Sequence, residues 1–353
     1  MRSLTALAVA AVLAAPAIAS AQEVKINKPE IYGRMHLSIN QMDNGDDDAL
    51  NLSSNSSRIG FRGTLDISEG LQAFYQMEAG YDADHGGGSL ASRNTFAGLR
   101  GAFGAIQAGQ FDTPVKNIGG KVDLFSDQVG DNGNIIRYGI RGDLGNYSFD
   151  EREKNMIQYT TPKFGGVQAQ LAYSTNVRST GSADGDLDQH SYMAALTYTG
   201  VDGLYVGLGY QVYGDDAIDA DSDEAKIIRL GAAYQTGPFK VTGLVQQATD
   251  LLNGDDIMAY GLGGGSTLGE SVRAAHSFPL DPDVAELGAD MFSVGIDYKL
   301  AKNFTTYAAY SRIANDDNQN LRPYVDGISD SLNAAAVGGE DSQAFGVGVI
   351  YNF

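Results

Sequence analysis

From residue 31 to residue 353, apolar and polar residues alternate in one segment after another. A β-strand satisfies this period of two and a helix does not. Ile31, Gly33, Met35, Leu37 and Ile39 are separated by Tyr32, Arg34, His36 and Ser38. Ile59, Phe61, Gly63 and Leu65 alternate with Arg58, Gly60, Arg62 and Thr64; Leu71, Ala73, Tyr75 and Met77 alternate with Gln72, Phe74, Gln76 and Glu78. Leu204, Val206, Leu208 and Tyr210 share a face, as do Phe345, Val347, Val349, Tyr351 and Phe353. The 45 glycines suit a chain of many tightly turned strands.

A soluble sandwich alternates too, so the connections carry the distinction. Tight ones are expected at 66–70, 100–104, 162–166, 200–203, 236–238 and 301–303. Long polar ones are expected at 41–55, 82–91, 112–150, 175–189, 214–224 and 314–341. Short turns at one end and long loops at the other mark an outer-membrane barrel. The long connections also carry acidic clusters, with Asp43, Asp46, Asp47 and Asp48 in the first and Asp215, Asp216, Asp219, Asp221, Asp223 and Glu224 in the fifth. Hydrocarbon offers no hydrogen bonds to backbone groups, so a sheet crossing it must close on itself. The expected fold is all-β: a transmembrane antiparallel barrel of about sixteen strands. Fourteen strands are well marked, and two near residues 256–263 and 269–278 are blurred by Gly264, Gly265 and the 280–283 stretch. A count of eighteen stays open. Tyrosines near strand ends (Tyr159, Tyr173, Tyr198, Tyr210, Tyr234, Tyr298, Tyr310 and Tyr351) fit a girdle at headgroup depth.

The first residues read as an export leader. Arg2 supplies a positive start, residues 4–13 an apolar run and Ala19-Ser20-Ala21 a cleavage site. The expected division is therefore 1–21 leader and 22–353 barrel. Losing Arg2 takes the formal charge from −20 to −21. So acidic a chain has no footprint for nucleic acid. Cysteine is absent, so neither a disulfide nor a thiolate metal site is expected.

Other chemistry finds little support. His36, His85, His190 and His276 are scattered without helical H-E-x-x-H spacing, so no metal and no cofactor are expected. No G-x-S-x-G accompanies them, which argues against a barrel hydrolase. Residues 43–48 have the acidity of a calcium loop but lack the glutamate that closes one; they read as a solvated loop, with divalent bridging to lipopolysaccharide phosphates as a further option. Residues 261–269 are glycine-rich without a following lysine, and read as a flexible turn.

Several ordered motifs carry a resemblance. They are Ser57-Arg58-Ile59-Gly60-Phe61-Arg62-Gly63, the run 70–78, Arg93-Asn94-Thr95-Phe96-Ala97-Gly98-Leu99-Arg100-Gly101, the run 104–114, the run 155–166 and the terminal Tyr351-Asn352-Phe353. From about residue 30 to residue 353 the chain resembles the general diffusion porins of Gram-negative outer membranes. The resemblance implies a homotrimer of sixteen-stranded barrels set among lipopolysaccharide and phospholipid, passing ions and small hydrophilic solutes. It implies a third long loop folded inward, here 112–150, facing a ladder of basic side chains at Arg34, Arg58, Arg93 and Arg152. Acidic partners on the loop would come from Asp123, Asp127 and Asp131. Gln110 departs from the pattern, because many members carry a basic residue there. The alternation independently directs Arg34, Arg58 and Arg62 away from the apolar face, and Arg152, Lys154 and Gln158 likewise, making Arg62 and Lys154 secondary pore-lining positions.

A passive channel selecting by size and charge is the leading expectation. A solute-specific channel with a binding site in the constriction is the alternative, and a hydrolase or adhesin is the third. The acidic loops favour cations at the mouth while the arginine ladder opposes them, and the balance leans toward cations.

Overall fold

The computed structural model describes residues 25–137, 148–177, 189–215, 217, 224–250, 256–268, 270–280, 288–325, 328 and 338–353. The expected leader, and Asp216, Asp219, Asp221 and Asp223 of the fifth acidic cluster, lie outside these residues.

Sixteen strands form the wall among the described residues. The first five are β1 (Glu30–Asp43), β2 (in two pieces, Asp48–Ser54 and Arg58–Ser68), β3 (Leu71–Tyr81), β4 (Thr95–Gly101) and β5 (Gly104–Asp112). Next come β6 (Arg152–Thr160), β7 (Val167–Ser174), β8 (Ser191–Tyr198), β9 (Leu204–Tyr213), β10 (Ala225–Thr236) and β11 (Phe239–Thr249). The last five are β12 (Ile257–Leu268), β13 (Glu270–Leu280), β14 (Ala289–Ala301), β15 (Phe304–Asn315) and β16 (Ser342–Asn352). Both pieces of β2 pair with β1, which makes them one strand interrupted at residues 55–57.

Each strand pairs antiparallel with the next, from β2–β3 to β15–β16. β16 then returns to β1 in a register running from Gln343↔Asp43 to Asn352↔Arg34. Among the described residues the ring closes, every one of the sixteen strands pairing on both sides, which is what a sheet in hydrocarbon requires. The blurred stretches resolve as β12 and β13 in continuous register, so the glycine-rich run 261–268 is strand rather than the expected flexible turn.

Alternation explains the two surfaces. On β1, Ile31, Met35 and Ile39 point outward and exposed, whereas His36, Ser38 and Asn40 are buried inside. On β14, Phe292, Val294, Ile296 and Tyr298 are outward, against Met291 and Ser293 within. Repeated around the ring, this gives an apolar belt far larger than a soluble protein tolerates.

Short connections join β2–β3, β4–β5, β10–β11 and β14–β15 at one end, as expected. At the other end the first connection is tighter than expected. β1 runs to Asp43 and β2 begins at Asp48, so the 41–55 segment is a projecting hairpin rather than a loop. Asn44 closes its tip, its Oδ1 accepting from the amides of Asp46 (3.1 Å) and Asp47 (2.7 Å).

The third connection, 112–150, enters the barrel. It carries helix α1 (Pro114–Val122) and the single turn α2 (Gly133–Ile136). Its side chains build much of the apolar packing inside the ring. Val115 and Phe149 cluster with Tyr213 and Ile227, while Phe125 and Val129 cluster with Met42, Tyr307 and Tyr324.

Candidate functional site

The site begins with the helix that sets the inward loop against the wall. Thr113 is the N-cap, its Oγ1 accepting from the Lys116 amide at 3.1 Å, and Pro114 supplies a pre-set first turn. Val115, Ile118 and Val122 then fall on one face of α1, and all three are buried. That face rests on glycines of β9 and β10. A Cβ at Gly209 would sit 2.8 Å from Ile118 Cδ1, and one at Gly231 2.7 Å from Ile118 Cγ2. Three strand residues without side chains therefore (Gly207 is the third) make the recess that Ile118 fills.

Beyond α1 the loop crosses toward the opposite wall. Gly130, at φ +83°, donates its amide to the Pro323 carbonyl (2.8 Å) and approaches Ser293 and Ser311 so closely that no Cβ would fit. The returning limb is held by a buried ion pair. Arg229, with no solvent exposure, donates to both oxygens of Asp150 at 2.7 Å, to Gln246 Oε1 at 2.9 and 2.6 Å, and to the Val115 carbonyl at 3.1 Å. One guanidinium thus ties the start of α1, the returning limb and the wall together.

The loop leaves a charged opening against β1–β6, a cavity of about 360 Å³. Arg34, Arg58, Arg93 and Arg152 all line it, as do Asp123, Asp127 and Asp131. Asp127 carries the contact between loop and wall, its Oδ2 lying 3.3 Å from Arg34 Nη1 and 4.0 Å from Arg58 Nη1. Asp127 holds φ +61°, a left-handed conformation that a short polar side chain tolerates better than most. Arg93 Nε donates to Glu78 Oε1 at 2.7 Å, and the Tyr32 hydroxyl donates to the other Glu78 oxygen at 2.9 Å. Arg152 stands 3.1 Å from Asp112 and donates to Asn94 Oδ1 at 2.8 Å.

The remaining expected residues fall elsewhere or do other work. Asp131 lines the cavity, yet its oxygens accept from the backbone amides of Asp127 (2.6 Å) and Gly133 (2.8 Å), so it shapes the loop. Asp123 Oδ1 accepts from the Phe125 amide at 2.9 Å. Arg62 lies outside this opening, paired with Glu30 at 2.6 Å and stacked 4.8 Å over the Tyr32 ring. Lys154 is not brought to the opening at all. The ladder between β5 and β6 slips between Gly109 and Phe111, and Asn155 takes φ +50°, so one extra residue shifts the parity. Glu153 and Met156 are the buried inward side chains there, while Gln158 keeps its expected side. Gln110 donates to the Ser92 carbonyl at 3.4 Å and does not line the opening.

Sequence reasoning passed over Glu78, Asp112, Lys116, Arg137, Glu151, Asp150 and Arg229. Two of them had a signal. Glu78 shares the parity of Gln72 and Gln76, and Arg229 stands between Ile228 and Leu230, so both point inward. Among the described residues, counting Lys116 and Arg137, six cations line the opening, against six carboxylates that include Asp112, Asp150 and Glu151. These described charges balance formally, with Arg34, Arg58, Arg93 and Arg152 on the β1–β6 side and Asp123, Asp127 and Asp131 on the loop beside Lys116 and Arg137.

Comparison with known proteins agrees with this architecture. A family model described as Gram-negative porin matches residues 6–318. Outer membrane porin protein 32 of Delftia acidovorans is 28% identical over 311 residues, covering 85% of each chain. The major outer membrane protein P.IB of Neisseria meningitidis serogroup B is 27% identical over 269 residues, covering 70% of this chain and 73% of the relative. Among solved structures, an anion-selective porin from Comamonas acidovorans superimposes with a TM-score of 0.80 at 23% identity, covering 94% of this chain and all of the other.

Proposed function

The chain belongs to the Gram-negative porin family, a passive diffusion channel of the outer membrane, and we propose that it selects solutes where loop 112–150 meets the arginine wall. The observation that carries this reading is the Asp127 carboxylate lying against Arg34 and Arg58, on a loop pinned at the far wall by Arg229. Cations on the wall and carboxylates on the loop set up a field across the opening, which orients water and polar solutes and disfavours apolar ones. Arg93 and Arg152 extend the basic side, and their contacts to Glu78 and Asp112 hold the guanidinium groups in place.

Because the described charges of the opening balance, the acidic mouth decides the sign. Asp43, Asp46, Asp47 and Asp48 crowd the tip of the first hairpin, where their potential reaches about 10 Å at 0.1 M salt. The channel therefore has a mild cation preference, unlike the neighbour named for anion selectivity. The zero-current potential of the purified protein in a planar bilayer under a KCl gradient tests this, and a clear anion preference refutes it.

The barrel works as a homotrimer after removal of residues 1–21, its apolar belt against phospholipid and its loop tips among lipopolysaccharide. Chemical cross-linking of the detergent-extracted protein tests the trimer. The function is transport without catalysis. Conductance that rises linearly with KCl concentration supports passive diffusion, and saturation with KCl would favour the solute-specific reading, with a binding site in the constriction.

A further inference from the structure

The lumen of a barrel that passes water should be polar, yet its wall between the opening and the short-turn end carries phenylalanine. Phe74 of β3 and Phe96 of β4 sit at inward positions, with ring centroids 6.1 Å apart and edge-to-face. They border a recess of about 390 Å³ that also includes Gln107, Gln158 and Gln170, a size within the range of small-molecule sites, about 300–1,000 Å³. The recess shares Asp112 with the charged opening, and Arg100, Ala105 and Thr160 with the vestibule at the short-turn end, so it lies on the path of a passing solute.

Two features distinguish it from ordinary wall packing. First, the Phe74 ring lies over Gly98, whose Cβ would meet Phe74 Cζ at 2.6 Å. A ring seated on a glycine lies low against the wall, with Arg100 stacked 5.6 Å from its centre. Second, Gln158 is 5% exposed and its Nε2 donates to Thr160 Oγ1 at 3.2 Å, but its Oε1 accepts no hydrogen bond. A buried acceptor without a donor costs free energy unless something supplies one.

We propose that this recess is a subsite for neutral saccharides. A pyranose offers apolar C–H faces for the rings and hydroxyl donors for Gln158 Oε1, Gln107 and Gln170. Arg100 and Asp112 balance in charge, so the recess gives an ion no net attraction and favours an uncharged, polyhydroxylated solute. The proposal rests on the channel reading.

Maltotriose added to the purified protein in a planar bilayer tests it, with a polyethylene glycol of matching hydrodynamic size as the control for exclusion. We expect saturable block of the KCl current by maltotriose and none beyond simple exclusion by the polymer. Phe74→Ala and Gln158→Leu should each raise the half-blocking concentration about tenfold, the scale of one lost aromatic or buried polar contact. Unchanged KCl conductance certifies that a variant has folded, and if one fails, the other carries the test. Equal behaviour of sugar and polymer, or wild-type block in a folded variant, overturns the subsite. Absence of KCl conductance in the wild type would instead overturn the channel reading.

Discussion

Replacing Arg229 with Met removes the cation that binds the returning limb of the inward loop to the wall. The side chain is fully buried and engages Asp150, Gln246 and the Val115 carbonyl. Met fills similar space but leaves Asp150, its side chain only 11% exposed, charged and without its cation, a change that costs about 3–5 kcal/mol for a buried pair. Val115, Ile118 and Val122 hold α1 on its glycine bed independently, at about 1.5–3 kcal/mol for each fully buried side chain. The helix should therefore stay seated while residues 148–151 come loose into the lumen. Single-channel recording should show the pore flickering, with open-state noise well above wild type, and hydrogen exchange should rise in the 148–151 segment alone. Adding Asp150→Leu removes the stranded carboxylate and should restore most of the quiet conductance. Wild-type noise in R229M, or a double variant as noisy as the single, would refute the idea that this pair holds the loop.

Three further outcomes follow from the same geometry. Arg58→Ser with Arg93→Ser takes two cations from the opening and leaves Glu78 with the Tyr32 hydroxyl; the zero-current potential should move toward cations, and an unmoved potential removes both arginines from the selective path. Asp127→Asn keeps a residue that tolerates φ +61° but deletes the loop charge facing Arg34; it should move the potential toward anions, and less so at 1 M salt, where screening shortens to about 3 Å. Gly231→Val forces atoms into the space of Ile118, an overpacking cost of about 1–3 kcal/mol; α1 should be pushed toward the lumen with a fall in conductance, and wild-type conductance would show that the glycine bed does not set the loop.

The wall was legible because strand parity is local. Once Ile31, Met35 and Ile39 face lipid, Arg34 must face the lumen, and the same logic places Arg58. Lys154 broke that logic for a physical reason: the bulge at Asn155 adds one residue, and with a period of two, that residue puts Lys154, on the near side of the bulge, out of step with Gln158 beyond it. The role of Asp131 was hidden differently. Its carboxylate is consumed by the amides of Asp127 and Gly133, an outcome that depends on the backbone turn and not on the residue type.

The sequence by itself determined the closed, lipid-facing sheet, since alternation and the closure requirement both act on segments a few residues long. It also placed Arg34 and Arg58 on the parity opposite the apolar residues. Only the tertiary structure decided where the loop rests and which carboxylate meets those arginines. Gly207 and Gly209 on one strand, Gly231 on the next and Ile118 some ninety residues earlier make a single contact, and Arg229 reaches Asp150 across 79 residues. Such contacts exist only after the ring has closed around the loop, because closure is what brings those surfaces to within a side chain's length of each other.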